Sequence, residues 1–253
     1  MSKVIIEASG PVRTIWMNRP EKRNALDRDM RAELTEALRA PVTAEDRVVV
    51  IRGKGDVFCA GLDMAERRAT AETGEASGIE DMLRAIELCP LPVVAVVQGD
   101  AIAGGNELAL HCDLVVASEH ARFGMSLAQV GLAPNWFLAK KLMEVLGPVT
   151  TREMLLLGEP LPATRLHALG LIARCVPADR LEAEAAHVID RLAANAPLSL
   201  KAMKALTVRQ LEFRDGIPHD DVDALVRAAL SSEDAREGML ARLEKRTARF
   251  LGR

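Results

Sequence analysis

Four short runs of consecutive apolar residues mark the first two thirds of the chain: Val48–Ile51, Val93–Val97, Leu114–Ala117 and Leu171–Val176, each bounded by turn formers or charges. A run that is apolar at every position predicts a strand covered on both faces, because successive side chains point to opposite sides of a sheet. Between the runs the period changes. Met30, Leu34, Ala37 and Leu38 recur at helical spacing behind Asp27, a residue able to accept from the free amides of a first helical turn. A second amphipathic stretch covers Ile79–Leu88. Strand and helix in alternation predict an α/β architecture joined by crossovers. Beyond Ala178 the strand signal stops. Leu181, Ala185, Val188, Ile189 and Leu192 line one helix, and Asn195, Ala196 and Pro197 break it. Later helices are expected over Asp221–Leu230 and Glu233–Phe250, the last with Met239, Leu240, Leu243 and Phe250 on one side. This divides the chain into a core over 1–195 and a helical region over 196–253, which is too small to stand alone and is expected to pack on the core or on another copy. The segment Ala65–Gly78 has no strong apolar period and reads as a mobile surface loop.

Composition narrows the function classes. The 253 residues suffice for a substantial core, and 33 basic against 36 acidic residues leave a charge of −3 with no basic bank, which disfavours nucleic acid as a partner. Charges interrupt each apolar span before about 18 positions accumulate, and the start MSKVIIEAS lacks a signal-peptide core, so a soluble, cytoplasmic protein without membrane contact is expected. Cys59, Cys89, Cys112 and Cys175 form no CxxC pair and read as reduced thiols; His167 and His219 have no ligand companions, and no metal is expected. Tyrosine is absent, which removes any phenolic acid or base.

Two segments could carry chemistry. Val93–Val97 runs into Gln98-Gly99-Asp100-Ala101-Ile102-Ala103-Gly104-Gly105-Asn106-Glu107, a buried strand followed by a glycine-containing turn that opens a short helix. Unpaired amides at such a helix start favour developing negative charge, the form an oxyanion hole takes. Glu107 follows in the first turn, either as a catalytic carboxyl or as a capping or solvated one. Gly53-Lys54-Gly55-Asp56-Val57-Phe58-Cys59-Ala60-Gly61-Leu62-Asp63-Met64 follows the Val48–Ile51 strand and also presents small residues; it is either a second ligand-facing backbone or an ordinary turn with Cys59 packed inside. A nucleophilic Cys59 would need a base that the sequence does not supply nearby. Neither a GxGxxG turn after a strand nor a GxxxxGK[ST] loop is present, which removes dinucleotide and nucleoside-triphosphate chemistry.

Taken in order, Asn18-Arg19-Pro20-Glu21-Lys22-Arg23-Asn24-Ala25-Leu26, Phe58-Cys59-Ala60-Gly61-Leu62-Asp63, Gly104-Gly105-Asn106-Glu107-Leu108, Cys112-Asp113-Leu114, Phe123-Gly124-Met125, Glu237-Gly238-Met239 and Glu244-Lys245-Arg246 span nearly the whole chain. Their ordered set resembles the crotonase superfamily, the enoyl-CoA hydratase/isomerase group. The resemblance implies a crotonase-like spiral of ββα turns with a helical C-terminal region that forms a homotrimer, or a hexamer as a dimer of trimers. It implies an acyl-CoA thioester substrate, with no cofactor beyond that coenzyme A, whose enolate is stabilised between the amides of Leu62 and Gly104. Ala60, Asp63 and Met64 would lie along the adenine and pantetheine, and Lys22, Arg23 and Lys245 would meet the CoA phosphates.

The same resemblance assigns Glu107 the place of the first of two hydratase glutamates and puts Leu127 at the place of the second. Leucine cannot move a proton. Asn135 and Trp136 replace part of a glycine-rich run and offer polar and aromatic surface to the acyl group, together with Leu127, Leu83 and the 65–78 segment. Three reactions follow: hydration with Glu107 as acid and base, a double-bond shift, or decarboxylation of a malonyl-type thioester. Hydration ranks first as the commonest activity of the group. An acyl-CoA-binding protein without catalysis is the alternative of another class, although a pure binder has no need of Glu107. A peptidase built on Ser126 with His111 or His120 lacks a GxSxG elbow. Asp113 reads as an anchor for a strand start.

Overall fold

The computed structural model describes residues 2–73 and 78–253. Two strands without a continuous apolar run open the fold: β1 (Val4–Ser9) and β2 (Val12–Met17) pair antiparallel, with Val4 opposite Met17. β1 is an edge strand in which Val4 alone is buried, so it carries no pattern to read. The remaining strands add in parallel in the order β2, β3 (Val48–Gly53), β4 (Val93–Val97), β6 (Leu114–Ser118) and β9 (Arg174–Val176). The predicted strand over 171–176 thus occupies only its last three residues; Ile172 instead packs into the core.

The apolar runs are explained by two cores, one on each face. Val49, Ile51, Val93, Ala95 and Val97 face the main core, where α1 (Arg28–Arg39) contributes Met30, Leu34, Ala37 and Leu38. Val48, Val50, Val94, Val96 and Val116 face the other way, onto Leu181, Ala185 and Val188 of α7 (Leu181–Ala193). Each such Val, Ile, Leu or Met side chain contributes roughly 1.5–3 kcal/mol when fully buried. As expected, the Asp27 side chain accepts from Met30 N at 3.0 Å to start α1, and α3 spans Ile79–Leu88.

The segment expected to be a mobile loop is in part a helix, α2 (Met64–Thr73); residues 74–77 lie outside the described residues. The signal was Asp63, whose carboxylate accepts from Ala65 N at 3.1 Å and from Glu66 N at 3.4 Å, as a helix-capping residue does.

A second, small sheet holds β5 (Ala101–Ile102), β7 (Arg122–Gly124) and β8 (Leu161–Pro162), extended by bridges from Leu62 to Leu26 and from Cys59 to Ala101. The chain passes repeatedly from the large sheet to the small one and then into a helix: β4, β5, α4 (Gly104–His111), then β6, β7, α5 (Trp136–Leu156). This is the expected ββα spiral. Strands of two or three residues are too short for any periodicity to show.

The tail consists of α8 (Pro197–Leu211), α9 (Asp220–Ser231) and α10 (Glu233–Leu243). The helix expected to run to Phe250 ends at Leu243: Lys245 takes a φ of 56°, and the Arg246 guanidinium turns back to Glu237 at 2.6 and 2.8 Å. Lys204 ties the tail to the core. Its ammonium is buried and donates to the Ile86 and Leu91 carbonyls at 2.9 and 3.1 Å and to the Asp113 carboxylate at 2.7 Å. Asp113 in turn accepts from Val93 N, the first residue of β4, as its expected anchoring role requires. Among the described residues no helix is long and apolar enough to cross a membrane.

Candidate active site

Asn24 organises the approach to the site. It is fully buried at a φ of 55°, accepts from Arg19 N at 3.0 Å and donates to the carbonyls of Lys54, Val57 and Phe58. One amide group thereby fixes the turn after β3 and delivers residues 59–62 to the start of α4. Gly61, at a φ of +88°, lies so close to that start that a Cβ on it would come within 3.1 Å of Gly104 N. At Gly105 a Cβ would fall 2.2 Å from the Cys59 carbonyl oxygen, so only hydrogen fits between the helix and this segment.

The same packing exposes two amides. Leu26 N donates to Gly61 O and Asp63 N donates to Leu26 O, which turns the intervening Leu62 N–H to the opposite side. Gly104 is the first residue of α4, with no preceding turn to accept its N–H. Its orientation is set by Ala103, which holds φ 49° and ψ −115° and donates to Gly124 O at 2.7 Å. A non-glycine residue there costs on the order of 1–3 kcal/mol, a strain the surrounding bonds must hold in place. Among the described residues neither N–H has a partner. Leu62 and Gly104 line one cavity of 410 Å³.

Glu107 sits one turn further along α4, its side chain fully buried. Neither carboxyl oxygen has a hydrogen-bond partner among the described residues. Burial pushes this carboxyl well above the ordinary carboxylate range, opposed only by the positive charge of Lys141. Its Oε2 is 3.6 Å from Nδ1 of His111, a nitrogen that also lies 2.7 Å from the Glu107 carbonyl oxygen. Burial and the charge of Lys141 hold the imidazole well below its usual range. Burial thus favours the neutral form of both the acid and the ring, the form in which Glu107 can donate a proton.

Of the residues singled out in the sequence, Ala60, Leu62, Met64, Gly104, Leu127 and Asn135 line the cavity. Glu107 is fully buried and is not among the residues that line the cavity, although it follows Gly104 by three residues on the same helix. Trp136 is directed elsewhere: its ring stacks on His219 with centroids 4.5 Å apart, and His219, expected to stand alone, also lies 2.9 Å from Asp223. Leu83 is buried in the core and does not line the cavity. Lys22 and Lys245 are exposed outside the wall, Arg23 reaches Asp100 at 3.3 Å, and Asp63 pairs with Arg19 at 3.2 Å. Burial pushes the Cys59 thiol up to about 12, and the thiol donates to the Asn24 carbonyl, which removes it as a nucleophile. Ser126 lines the cavity but donates to Gly158 O at 2.7 Å, with no histidine bonded to it among the described residues.

Sequence reasoning missed Arg67, Glu80, Arg227 and Arg242, all of which line the cavity. Arg67 lay in the presumed loop. Glu80 looked like the solvated face of an amphipathic helix. Arg227 and Arg242 belong to the tail, and no local pattern connects position 242 with position 62; the cavity is walled by core and tail together.

The enoyl-CoA hydratase/isomerase family model matches residues 7–253. A 2,3-dehydroadipyl-CoA hydratase of Escherichia coli is 32% identical over the full length of both chains. Among solved structures, an enoyl-CoA hydratase of Mycobacterium avium subsp. paratuberculosis superposes with a TM-score of 0.84 at 32% identity over 98% of each chain. A methylmalonyl-CoA decarboxylase complexed with 2S-carboxypropyl-CoA superposes with a TM-score of 0.91 at 25% identity, over 100% of this chain and 99% of that one.

Proposed function

The chain belongs to the enoyl-CoA hydratase/isomerase family of the crotonase superfamily, and we infer from its site that it adds water to an enoyl-CoA thioester. The observation that carries this reading is the pair of partnerless amides, Leu62 and Gly104, on one cavity, with the desolvated Glu107 carboxyl one turn along the helix that Gly104 opens. A thioester carbonyl oxygen held between those N–H groups gains charge as the β carbon is attacked, and donors fixed before the reaction lower that barrier selectively. Removing one such donor typically costs about 3–4 kcal/mol. Glu107 then supplies the proton for the α carbon. The exposed Arg227 and Arg242 on the cavity meet the CoA phosphates, and in our reading so do Lys22, Arg23 and Lys245 from outside its wall. The reaction needs no cofactor beyond the coenzyme A of its substrate. We extend the reading to a trimer or a hexamer, supported by the exposed Leu198, Met203, Leu206, Phe213 and Leu225 of the tail; light scattering of the purified protein tests it.

A second reading, decarboxylation of a malonyl-type thioester, is favoured by Leu127. Loss of carbon dioxide leaves the enolate without any base, and a protonated Glu107 suffices to finish the reaction. One experiment separates the readings: enoyl, β,γ-unsaturated and malonyl-type CoA thioesters are incubated with the protein and their products weighed by mass spectrometry. Hydration predicts gain of one water on crotonyl-CoA with loss of the enone absorbance. Loss of carbon dioxide from the malonyl-type substrate alone overturns it, and binding without turnover of any substrate identifies a carrier.

A further inference from the structure

Hydration requires a group that takes a proton from water as its oxygen attacks the β carbon, and burial, which favours the proton-bearing form of Glu107, suits that residue to the opposite task. At the place where hydratases carry a second glutamate stands Leu127. The cavity nevertheless contains a carboxylate. Glu80 lies in the first turn of α3 and is the one acidic side chain, among the described residues, that lines it.

Its position is tightly determined. Ile79, buried beside it, projects its Cδ1 to 2.9 Å from the point where a Cβ on Gly104 would lie, so the first turn of α3 is seated directly on the first turn of α4. The carboxylate is then aimed from the opposite wall by Asn135, whose Nδ2 donates to Glu80 Oε1 at 2.5 Å. Asn135 cannot turn its amide over. Its Oδ1 is used to accept from Leu138 N at 3.0 Å and caps α5, so its NH2 must face Glu80. Leu127, Glu80, Asn135, Leu62 and Gly104 all border the same space.

We propose that Glu80, oriented by Asn135, is the general base of this site and takes over from a different helix the task that Leu127 cannot perform. The Glu80 carboxylate accepts one proton of a water molecule as the water oxygen bonds to the β carbon. The double-bond pair shifts toward the thioester carbonyl, whose oxygen is held by the Leu62 and Gly104 amides. The α carbon then takes the proton of Glu107. Product carries one added water, Glu80 has gained the proton Glu107 has lost, and exchange with solvent resets both. The two acids divide the work by environment, one sealed in the fold and one facing the cavity.

This role rests on the hydration reading, and the test separates the two. Crotonyl-CoA turnover and butyryl-CoA binding by calorimetry are measured for the full chain and for Glu80→Gln, Glu80→Ala and Asn135→Asp. We expect Glu80→Gln to lower kcat by about 10²-fold or more with the butyryl-CoA Kd within about threefold, since the interaction is made only in the transition state. Formate is expected to restore part of the activity of Glu80→Ala, a rescue that a merely structural role does not permit. Asn135→Asp keeps the capping oxygen but presents a second carboxylate; as a positioning effect, it is expected to lower kcat roughly tenfold with KM little changed. A Glu80→Gln enzyme that hydrates at the wild-type rate, or one that loses butyryl-CoA binding together with activity and shows no formate rescue, overturns the proposal. A wild-type protein that hydrates no enoyl-CoA overturns the hydration reading, and this role with it; that outcome is recognised in the wild type itself.

Discussion

Helices α3 and α4 begin alike and set their first-turn carboxyls in different surroundings. α3 follows Gly78 and α4 opens on Gly104, each places a carboxyl in its first turn, Glu80 and Glu107, and the two first turns touch through Ile79. Yet Glu107 is wholly buried without a hydrogen bond among the described residues, whereas Glu80 is half-buried and held by an amide. A first-turn carboxylate is favoured at both places by the helix dipole, worth typically 0.3–1 kcal/mol. Burial of an unpartnered charge costs far more, and it pushes the Glu107 carboxyl well above the ordinary carboxylate range. Local sequence sets the carboxyl's position; the surrounding packing sets its protonation.

The sharpest way to break this contrast is Glu107→Gln. Loss of the proton donor is expected to cost about 10²–10⁴ in kcat for crotonyl-CoA. The same change should stabilise the fold at alkaline pH. A carboxyl whose folded pKa is raised holds its proton where the unfolded chain has released it, so its cost to stability is absent below the unfolded value near 4.5 and grows as pH rises above it. Thermal unfolding followed by circular dichroism at pH 5 and pH 9 should show a gain in Tm for the variant at the higher pH and little at the lower. An equal shift at both contradicts the burial argument.

Next in size are the contacts that seat the two helices. Gly105→Ala drives a methyl group against the Cys59 carbonyl; forced overpacking of this kind typically costs about 1–3 kcal/mol, and displacement of the Gly104 amide should remove most activity. Ile79→Ala is expected to destabilise by about 2–5 kcal/mol, read from urea midpoints, and to loosen Glu80 without touching Glu107. The smallest effect belongs to Trp136→Phe. Since that ring stacks on His219 away from the cavity, KM for crotonyl-CoA should stay within about twofold. A large rise in KM would return Trp136 to the site.

Much of the scaffold was legible because physics acts on neighbouring residues there. Val48–Ile51 and Val93–Val97 could be read as strands covered on both faces, and Asp27 announced α1 through a bond three residues away. The Leu62 and Gly104 amides were pointed out by the ordered motifs of the resemblance, and the structure places both residues on one cavity. The strands of the small sheet, α2 behind Asp63 and the early end of α10 were not, because each depends on contacts too short or too distant for a period to record.

Sequence alone determined where strands, helix starts and backbone donors lie, since these follow from side-chain spacing and from the N–H groups that every helix leaves unpaired. Only the tertiary structure decided that burial pushes the Glu107 carboxyl upward, that Trp136 turns away, and that Glu80, Arg227 and Arg242 share a cavity with Leu62. Desolvation and convergence are properties of what surrounds a residue in space, and residues far apart along the chain supply those surroundings.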